Sequence, residues 1–310
     1  LLMKEGILVD QGQPKKVFSD LSHPYTKKLF SASSEQFSFK ETNPSKEKLL
    51  EVRSVSVKYR SHERGIFSKG KSVEAVSNVS LDIRKGERLG LVGESGCGKS
   101  TLTRTILGLQ SASSGSIKFY GQKVSQYANS FKKNIQVVFQ DPYGSFNPRQ
   151  KIGRLITEPF FTLGREAPPE TEQRIIAQKM LKEVGLSSES IEKYIHEFSG
   201  GQRQRIAIAR ALIIKPKLII FDEAVSALDV SIRSQILKLI ADLTERYGLS
   251  YLFISHDLTV IENITENCLV MKNGKIVERG QTKHILRDPK NEYTLSLINA
   301  APKFPNFLHA

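Results

Sequence analysis

The chain's 310 residues suffice for one large domain or two small ones with a full core, and its 39% hydrophobic and 25% charged content is ordinary for a globular protein. No apolar run approaches the roughly 18 to 20 residues that cross a bilayer, the opening residues lack the order of a signal peptide, and two cysteines, Cys97 and Cys268, make neither a disulfide framework nor a metal cluster of usual spacing. The net charge of +14 stands out, but basic residues such as Lys46, Lys48, Arg60, Arg64, Lys69, Lys71, Lys132 and Lys133 are scattered, with no basic helix interleaved with aromatics, so charge alone does not argue for nucleic acid.

The first residues repeat the last. Laid without gaps on the C-terminal end, Met3-Lys4 matches Met271-Lys272, Gly6 matches Gly274, Gly12-Gln13 matches Gly280-Gln281, Asp20 matches Asp288 and Tyr25-Thr26 matches Tyr293-Thr294. About twelve of roughly thirty positions agree, which marks an internal repeat. Residues 1–32 are therefore expected to be the tail of an earlier unit, and the polar stretch 33–48, with few apolar residues beyond Phe37 and Phe39, a linker.

From Leu49 the pattern alternates through Leu50, Val52, Val55 and Val57, and again from Val73 to Ile83, with a polar loop from Arg60 to Ser72 between two antiparallel strands. Arg88 to Val92 reads as a strand and Leu102 to Leu109 as a helix; Gly115–Tyr120 and Ile135–Gln140 read as further strands. Pro168-Pro169 precede a helix from Glu170 to Val184 with Ile175, Ile176, Met180 and Val184 roughly on one face, so residues 150–200 are expected to form a helical subdomain inserted in an α/β core. A helix over Gly200–Ile214 is closed by Pro216. Leu218–Phe221 and Tyr251–Ser255 read as buried parallel strands flanking a helix over Ser231–Tyr247, and Cys268–Met271 with Ile276–Glu278 as a hairpin around Asn273-Gly274.

Between the Arg88 strand and its helix stands Gly93-Glu94-Ser95-Gly96-Cys97-Gly98-Lys99-Ser100-Thr101, which fits G-x-x-x-x-G-K-[ST]. Glycines let consecutive N–H groups turn inward around a phosphate, where a Cβ would block close approach. Lys99 is then expected to reach the β and γ phosphates, Ser100 to ligate Mg²⁺, and the helix to aim its positive end at the same anion. Phe198-Ser199-Gly200-Gly201-Gln202-Arg203 places a serine and two glycines at another helix start, which suits a γ phosphate. Asp222-Glu223 ends a strand; neighbouring side chains there point apart, so Asp222 can hold Mg²⁺ through water while Glu223 reaches an attacking water. Ser226-Ala227-Leu228-Asp229 follows, and His256 closes the next strand.

This order of motifs resembles the nucleotide-binding domain of an ABC transporter from about Leu49 to Ala300. The resemblance implies an α/β P-loop NTPase cassette with a RecA-like core, an antiparallel β subdomain and a helical insertion, spanning 49–288 with a tail over 289–310. It implies that Tyr59 stacks on adenine, that Gly93, Ser95, Gly96, Cys97, Gly98, Lys99, Ser100 and Thr101 bind nucleotide, and that Ser199, Gly200, Gly201, Gln202 and Asp229 do so across a sandwich of two cassettes. Gln140 is the expected Mg²⁺ ligand and sensor of the membrane subunit, Asp222 the acidic Mg²⁺ residue, Glu223 the general base and His256 the switch histidine. Phe198 stands where leucine is commonest, and Ala224-Val225 where many members have Pro-Thr; no catalytic position is lost.

Val138-Phe139-Gln140-Asp141-Pro142-Tyr143-Gly144-Ser145-Phe146-Asn147-Pro148-Arg149, His196 to Arg205 and His23-Pro24-Tyr25-Thr26 are similar to the oligopeptide and dipeptide importer ATPases, and the tandem arrangement most resembles the microcin C type (Yej) importer. That implies ATP and Mg²⁺, a second cassette, two integral membrane permeases, a solute-binding protein, and a place on the cytoplasmic face of the inner membrane, with no nucleic acid. Some relatives carry a cysteine cluster for an iron–sulfur centre after the cassette, and this sequence does not, so no such cluster is expected. The alternatives are an ABC-type ATPase acting on ribosomes or nucleic acid, and a truncated remnant.

Overall fold

The computed structural model describes residues 1–4, 6–13, 16–17, 21, 23–34, 45–60, 72–124 and 129–300. Asp20 of the repeat, most of the expected linker, the polar loop after Arg60 and the end of the C-terminal tail lie outside the described residues. In chain order the elements are β1 (Leu2–Lys4), β2 (Ile7–Asp10), α1 (Pro24–Ser34), β3 (Lys48–Arg60), β4 (Ser72–Arg84), β5 (Arg88–Val92), α2 (Lys99–Ile106), β6 (Ser114–Phe119) and β7 (Gln122–Lys123). Then come α3 (Asn129–Asn134), β8 (Ile135–Phe139), α4 (Ile152–Thr157), α5 (Glu170–Glu183), α6 (Gly200–Leu212), β9 (Leu218–Asp222), α7 (Val230–Tyr247) and β10 (Ser250–Ser255). The chain continues through α8 (Leu258–Ile264), β11 (Asn267–Lys272), β12 (Lys275–Gln281), α9 (Thr282–Arg287) and α10 (Glu292–Ala300).

Strands β9 and β10 are apolar at nearly every position because both of their faces are covered. Leu218, Ile220, Leu252 and Ile254 join Leu89 and Leu91 in one core, while Ile219, Phe221, Tyr251 and Phe253 point into another. A six-stranded sheet, ordered β12-β11-β5-β10-β9-β8, separates the two; only the β11–β12 pair is antiparallel. The first core is closed by the antiparallel sheet β4-β3-β6-β7 through Val52, Val57, Leu81, Ile83 and Ile117. Helical residues such as Leu155, Leu181, Ile206, Ile236 and Ile261 close the second. Each side chain so buried contributes about 1.5–3 kcal/mol of transfer free energy.

The register of this sheet builds the site. Ser255 lies opposite Val92, Ile254 opposite both Leu91 and Asp222, and Asp222 opposite Phe139, so four parallel strands finish in one row. Whatever follows Val92, Phe139, Asp222 and Ser255 is delivered to one edge.

Between β8 and β9 the chain is helical, with 3₁₀ turns at Glu158–Glu166, Ser188–Glu192 and Ile195–Glu197 beside α4 and α5. Helix α5 runs as expected, but its buried face is Ala177, Met180, Leu181 and, just past its end, Val184. Ile175 is exposed instead, because five residues separate it from Met180 and that spacing turns a side chain well off the shared face. At the start of the chain β1 and β2 pair only with each other, and α1 packs on α7 with Thr26 and Phe30 buried. Hairpin followed by helix thus occurs at both ends, over the segments that repeat in sequence.

Candidate nucleotide site

The loop from Gly93 to Thr101 leaves β5 and enters α2. Helix α2 begins at Lys99, three residues earlier than expected, with Gly98 at its N-cap in a left-handed conformation (φ 110°). A Cβ on Gly93 would lie 2.2 Å from the Met271 carbonyl oxygen, and one on Gly98 2.2 Å from that of Ala75, so only glycine fits at either place. Lys99 is buried; its Nζ donates to the carbonyls of Gly93 (2.7 Å) and Glu94 (2.9 Å) and lies 3.7 Å from Glu223 Oε1. Cys97 is buried too, and burial pushes its thiol up. That fits its reading as a small residue of the loop.

Across the row, Asp222 and Glu223 face different surroundings. Asp222 is 7% exposed, and its Oδ1 is buried without a hydrogen-bond partner. Burial first, and then the charge of Glu223, push its carboxyl up to about 6 against the pull of Lys99 and Arg104. Glu223 adopts φ 51°, a conformation that costs a non-glycine residue of order 1–3 kcal/mol and clusters at functional sites. Its N–H donates to the Ile254 carbonyl, and its Oε2 lies 3.4 Å from Nδ1 of the half-exposed His256. One carboxylate therefore spans Lys99 on β5's loop and His256 beyond β10.

Ser100, Gln140 and Asp222, the three expected Mg²⁺ ligands, line a single cleft of about 460 Å³ with Arg104, Phe139, Asp141, Gly144 and Ser145. Hydroxyl, amide and carboxylate oxygens suit a hard cation, and the orphaned Asp222 oxygen is a place for its charge. Tyr59, 41% exposed at the end of β3, stands beside α2: its hydroxyl donates to Gln110 Oε1 (2.8 Å) and lies 3.4 Å from Thr101 Oγ1.

The signature is not brought to this cluster. Ser199 caps α6 in a reciprocal pair with Gln202, Ser199 N–H donating to Gln202 Oε1 at 3.0 Å. Gly200 and Gly201 abut Leu228 and Ile232, where a Cβ on Gly201 would lie 2.4 Å from Ile232 Cγ2. Asp229 caps α7, accepting from the N–H of Ile232 and the hydroxyl of Ser231. Among the described residues no hydrogen bond or ion pair joins Ser199–Gln202 or Asp229 to the phosphate loop.

Sequence reasoning missed several residues that hold these parts. On α6, Arg210 donates to Ser145 O (2.8 Å) and Oγ (2.9 Å) and lies 4.3 Å from the Phe146 ring, and Arg203, two turns earlier on the same face, lies 4.9 Å from the Tyr143 ring. Their spacing of seven was the available signal. Arg233 on α7 donates to Asp257 Oδ2 and to Leu228 O, tying the Ser226–Asp229 segment to the residue after His256. Tyr293 reaches the phosphate loop at Glu94. Its repetition as Tyr25 pointed to the tail, not to the loop.

Residues 76–226 match the family model described as ABC transporter, and residues 9–52 and 277–307 match the one described as oligopeptide/dipeptide transporter, C-terminal region. The dipeptide transport ATP-binding protein DppF of Haemophilus influenzae is 42% identical over 271 residues, 86% of this chain and 82% of that protein. The oligopeptide transport ATP-binding protein OppF of the same organism is 47% identical over 264 residues, 83% and 79% of the two chains. The glutathione import ATP-binding protein GsiA of Escherichia coli is 40% identical over 331 residues, and this chain, matched through 97% of its length, spans 53% of it. Among solved structures, the dimer of MJ0796, described as a bacterial ABC transporter cassette, aligns with a TM-score of 0.66 at 27% identity over 76% of this chain and 99% of that one.

The fold that carries this site is that of an ATP-hydrolysing cassette of the ABC type. At 42–47% identity over 79–82% of the relatives' length, the chain belongs to the ATP-binding proteins of the oligopeptide and dipeptide importer family.

Proposed function

We propose that this chain powers a bacterial peptide importer, binding ATP between Tyr59 and the phosphate loop and hydrolysing it with Glu223 as general base. The observation that carries the reading is the placement of the Glu223 carboxylate, within 3.7 Å of Lys99 Nζ and 3.4 Å of His256 Nδ1, beside the unpaired oxygen of Asp222. The adenine stacks on Tyr59, and loop N–H groups from Ser95 to Thr101 cradle the phosphates. Lys99, whose ammonium has three donors, keeps the Gly93 carbonyl and exchanges the Glu94 carbonyl for the β and γ oxygens, a short swing for a flexible side chain. Glu223 takes a proton from the attacking water, and His256 holds both that carboxylate and the γ phosphate. Ser100, Gln140 and Asp222 would hold Mg²⁺, which when bound neutralises charge on the transferring phosphoryl group. Catalysis is then mainly positioning and electrostatics.

The signature Ser199-Gly200-Gly201-Gln202, with Asp229, serves the phosphate loop of a second cassette, fused or separate; that no hydrogen bond or ion pair among the described residues ties it to its own loop supports this. Residues 1–32 are the tail of such a cassette, joined by the linker 33–48 to the cassette 49–288 and its own tail 289–310. Two matches to one C-terminal-region model, at 9–52 and 277–307, support a tail at each end, though the first runs on through the linker, and so does an alignment to a relative nearly twice as long. Two integral membrane permeases and an extracytoplasmic solute-binding protein complete the complex at the cytoplasmic face of the inner membrane, with oligopeptides or dipeptides as cargo, a class that takes in microcin C-like peptides, and no direct role for nucleic acid. No helix among the described residues is long and apolar enough to cross the membrane itself. Tyr143–Asn147, braced by Arg203 and Arg210, receives the permease.

The test is Glu223→Gln in the assembled complex. ATP binding is expected to persist while hydrolysis falls at least about 100-fold, the scale of a general base. Full ATPase activity would sink the assignment, and copurification with ribosomes rather than permeases would sink the importer reading.

A further inference from the structure

We propose that Tyr293 is a positioning residue for the phosphate loop, fixing through its hydroxyl the Gly93–Glu94 peptide unit, the nearer of the two whose carbonyls hold Lys99. The unit joining Gly93 to Glu94 is gripped at both ends: the Glu94 N–H donates to Tyr293 Oη at 3.1 Å, and the Gly93 carbonyl accepts from Lys99 Nζ at 2.7 Å. A peptide unit is planar, so any rotation that turns this carbonyl away from Lys99 also turns the N–H away from Tyr293. Orientation of the loop's entry and placement of its lysine are thereby one event.

Tyr293 is itself placed by the tail, not by the loop. On β12, Glu278 accepts from the N–H groups of Lys290 (2.8 Å) and Asn291 (3.3 Å), and Asn291 Oδ1 then accepts from the Tyr293 N–H (3.0 Å). The ring is 7% exposed and packs beneath the Lys272 ammonium, 4.5 Å from its centroid. Burial pushes the phenol up, so it meets the amide as a neutral hydroxyl. A second hold comes from the same region, where the Gly274 N–H in the β11–β12 turn donates to the Cys97 carbonyl at 2.9 Å. The segment that matches the peptide-importer C-terminal model thus reaches back to preorganise the ATP site, and reciprocity requires nucleotide to act on the tail in turn.

The experiment compares Tyr293→Phe with Lys272→Met in the full chain. Tyr293→Phe keeps the ring and its burial and deletes the acceptor alone. The ATP concentration for half-maximal hydrolysis is expected to rise about three- to tenfold, the worth of one neutral hydrogen bond, with kcat within about twofold, an unchanged melting temperature and faster hydrogen exchange at the Glu94 amide. Lys272→Met loosens the tail without touching the bond, and is expected to lower the melting temperature with KM unchanged. An unaltered KM and Glu94 exchange rate in Tyr293→Phe, or equal KM shifts in both variants, would overturn the proposal. Should Tyr293→Phe fail to fold, the wild-type chain decides: a non-hydrolysable ATP analogue must slow exchange in α10, and unchanged exchange there overturns the coupling.

Discussion

Asp222 is almost wholly buried with one carboxylate oxygen unpaired, whereas its neighbour Glu223 turns both oxygens toward nitrogen groups, those of Lys99 and His256. The two are separated by a single backbone conformation, the positive φ of Glu223. An acid whose carboxyl is raised to about 6 by burial favours folding fully only below its ordinary value near 4, and that contribution is lost as pH rises through about 6. The nucleotide-free protein therefore carries ionised Asp222 as a burden of roughly 3 kcal/mol or less at neutral pH. Asp222→Asn is expected to raise its melting temperature by a few degrees at pH 7.5, to raise it clearly less at pH 4.5, and to abolish Mg²⁺-dependent hydrolysis; scanning calorimetry at the two pH values checks the sign. A carboxylate proposed to hold Mg²⁺ that destabilises the resting protein illustrates the trade between stability and function.

At the scale of elements, α6 links two segments that the sequence separates. Its first turn carries the signature, and its later turns hold the Tyr143–Phe146 segment through Arg203 and Arg210. Arg210 is largely buried, so Lys cannot replace it: the planar fork that serves Ser145 O and Oγ together is lost. Arg210→Lys is expected to leave nucleotide binding intact while reducing the stimulation of hydrolysis by transported substrate several-fold, measured in reconstituted vesicles. Gly201→Ala tests the other end. Its Cβ would collide with Ile232, so α6 and α7 must part, at a cost of about 1–3 kcal/mol readable in the denaturation midpoint.

For the whole molecule, a signature at Ser199–Gln202 proposed to serve the phosphate loop of a second cassette makes one cassette half of a machine. Ser199→Arg is accordingly expected to leave ATP binding at Tyr59 and Lys99 unchanged, as read by a fluorescent ATP analogue, while hydrolysis by the complete two-cassette assembly falls at least about tenfold. Loss of binding in the isolated chain would instead place Ser199 at its own site. At the other end of the chain, Phe30 buries its ring where α1 meets α7. Phe30→Asp is expected to free that helix, seen as faster proteolysis between residues 33 and 48 with the cassette's melting temperature little changed.

Much of this was legible in the order of residues because the pertinent physics is local. A phosphate loop needs glycines where a Cβ would strike Met271 or Ala75, a strand buried on both faces reads as an unbroken apolar run, and an acidic pair at its end needs no distant partner to be recognised. Helix α5 spans the stretch the sequence predicts, but Ile175 falls off its buried face, because a spacing of five turns it well away from Met180. What lay beyond the sequence was everything set by long-range register: that Val92, Phe139, Asp222 and Ser255 end in one row, that Glu223 turns from Asp222 toward His256, and that Tyr293 closes on Glu94 across 199 positions of chain. The sequence by itself determined the chemical groups and the family, because those are written in short spacings. The tertiary structure decided which groups share a site and which stand apart from it, because strand register and core packing join residues whose separation leaves no trace in local pattern.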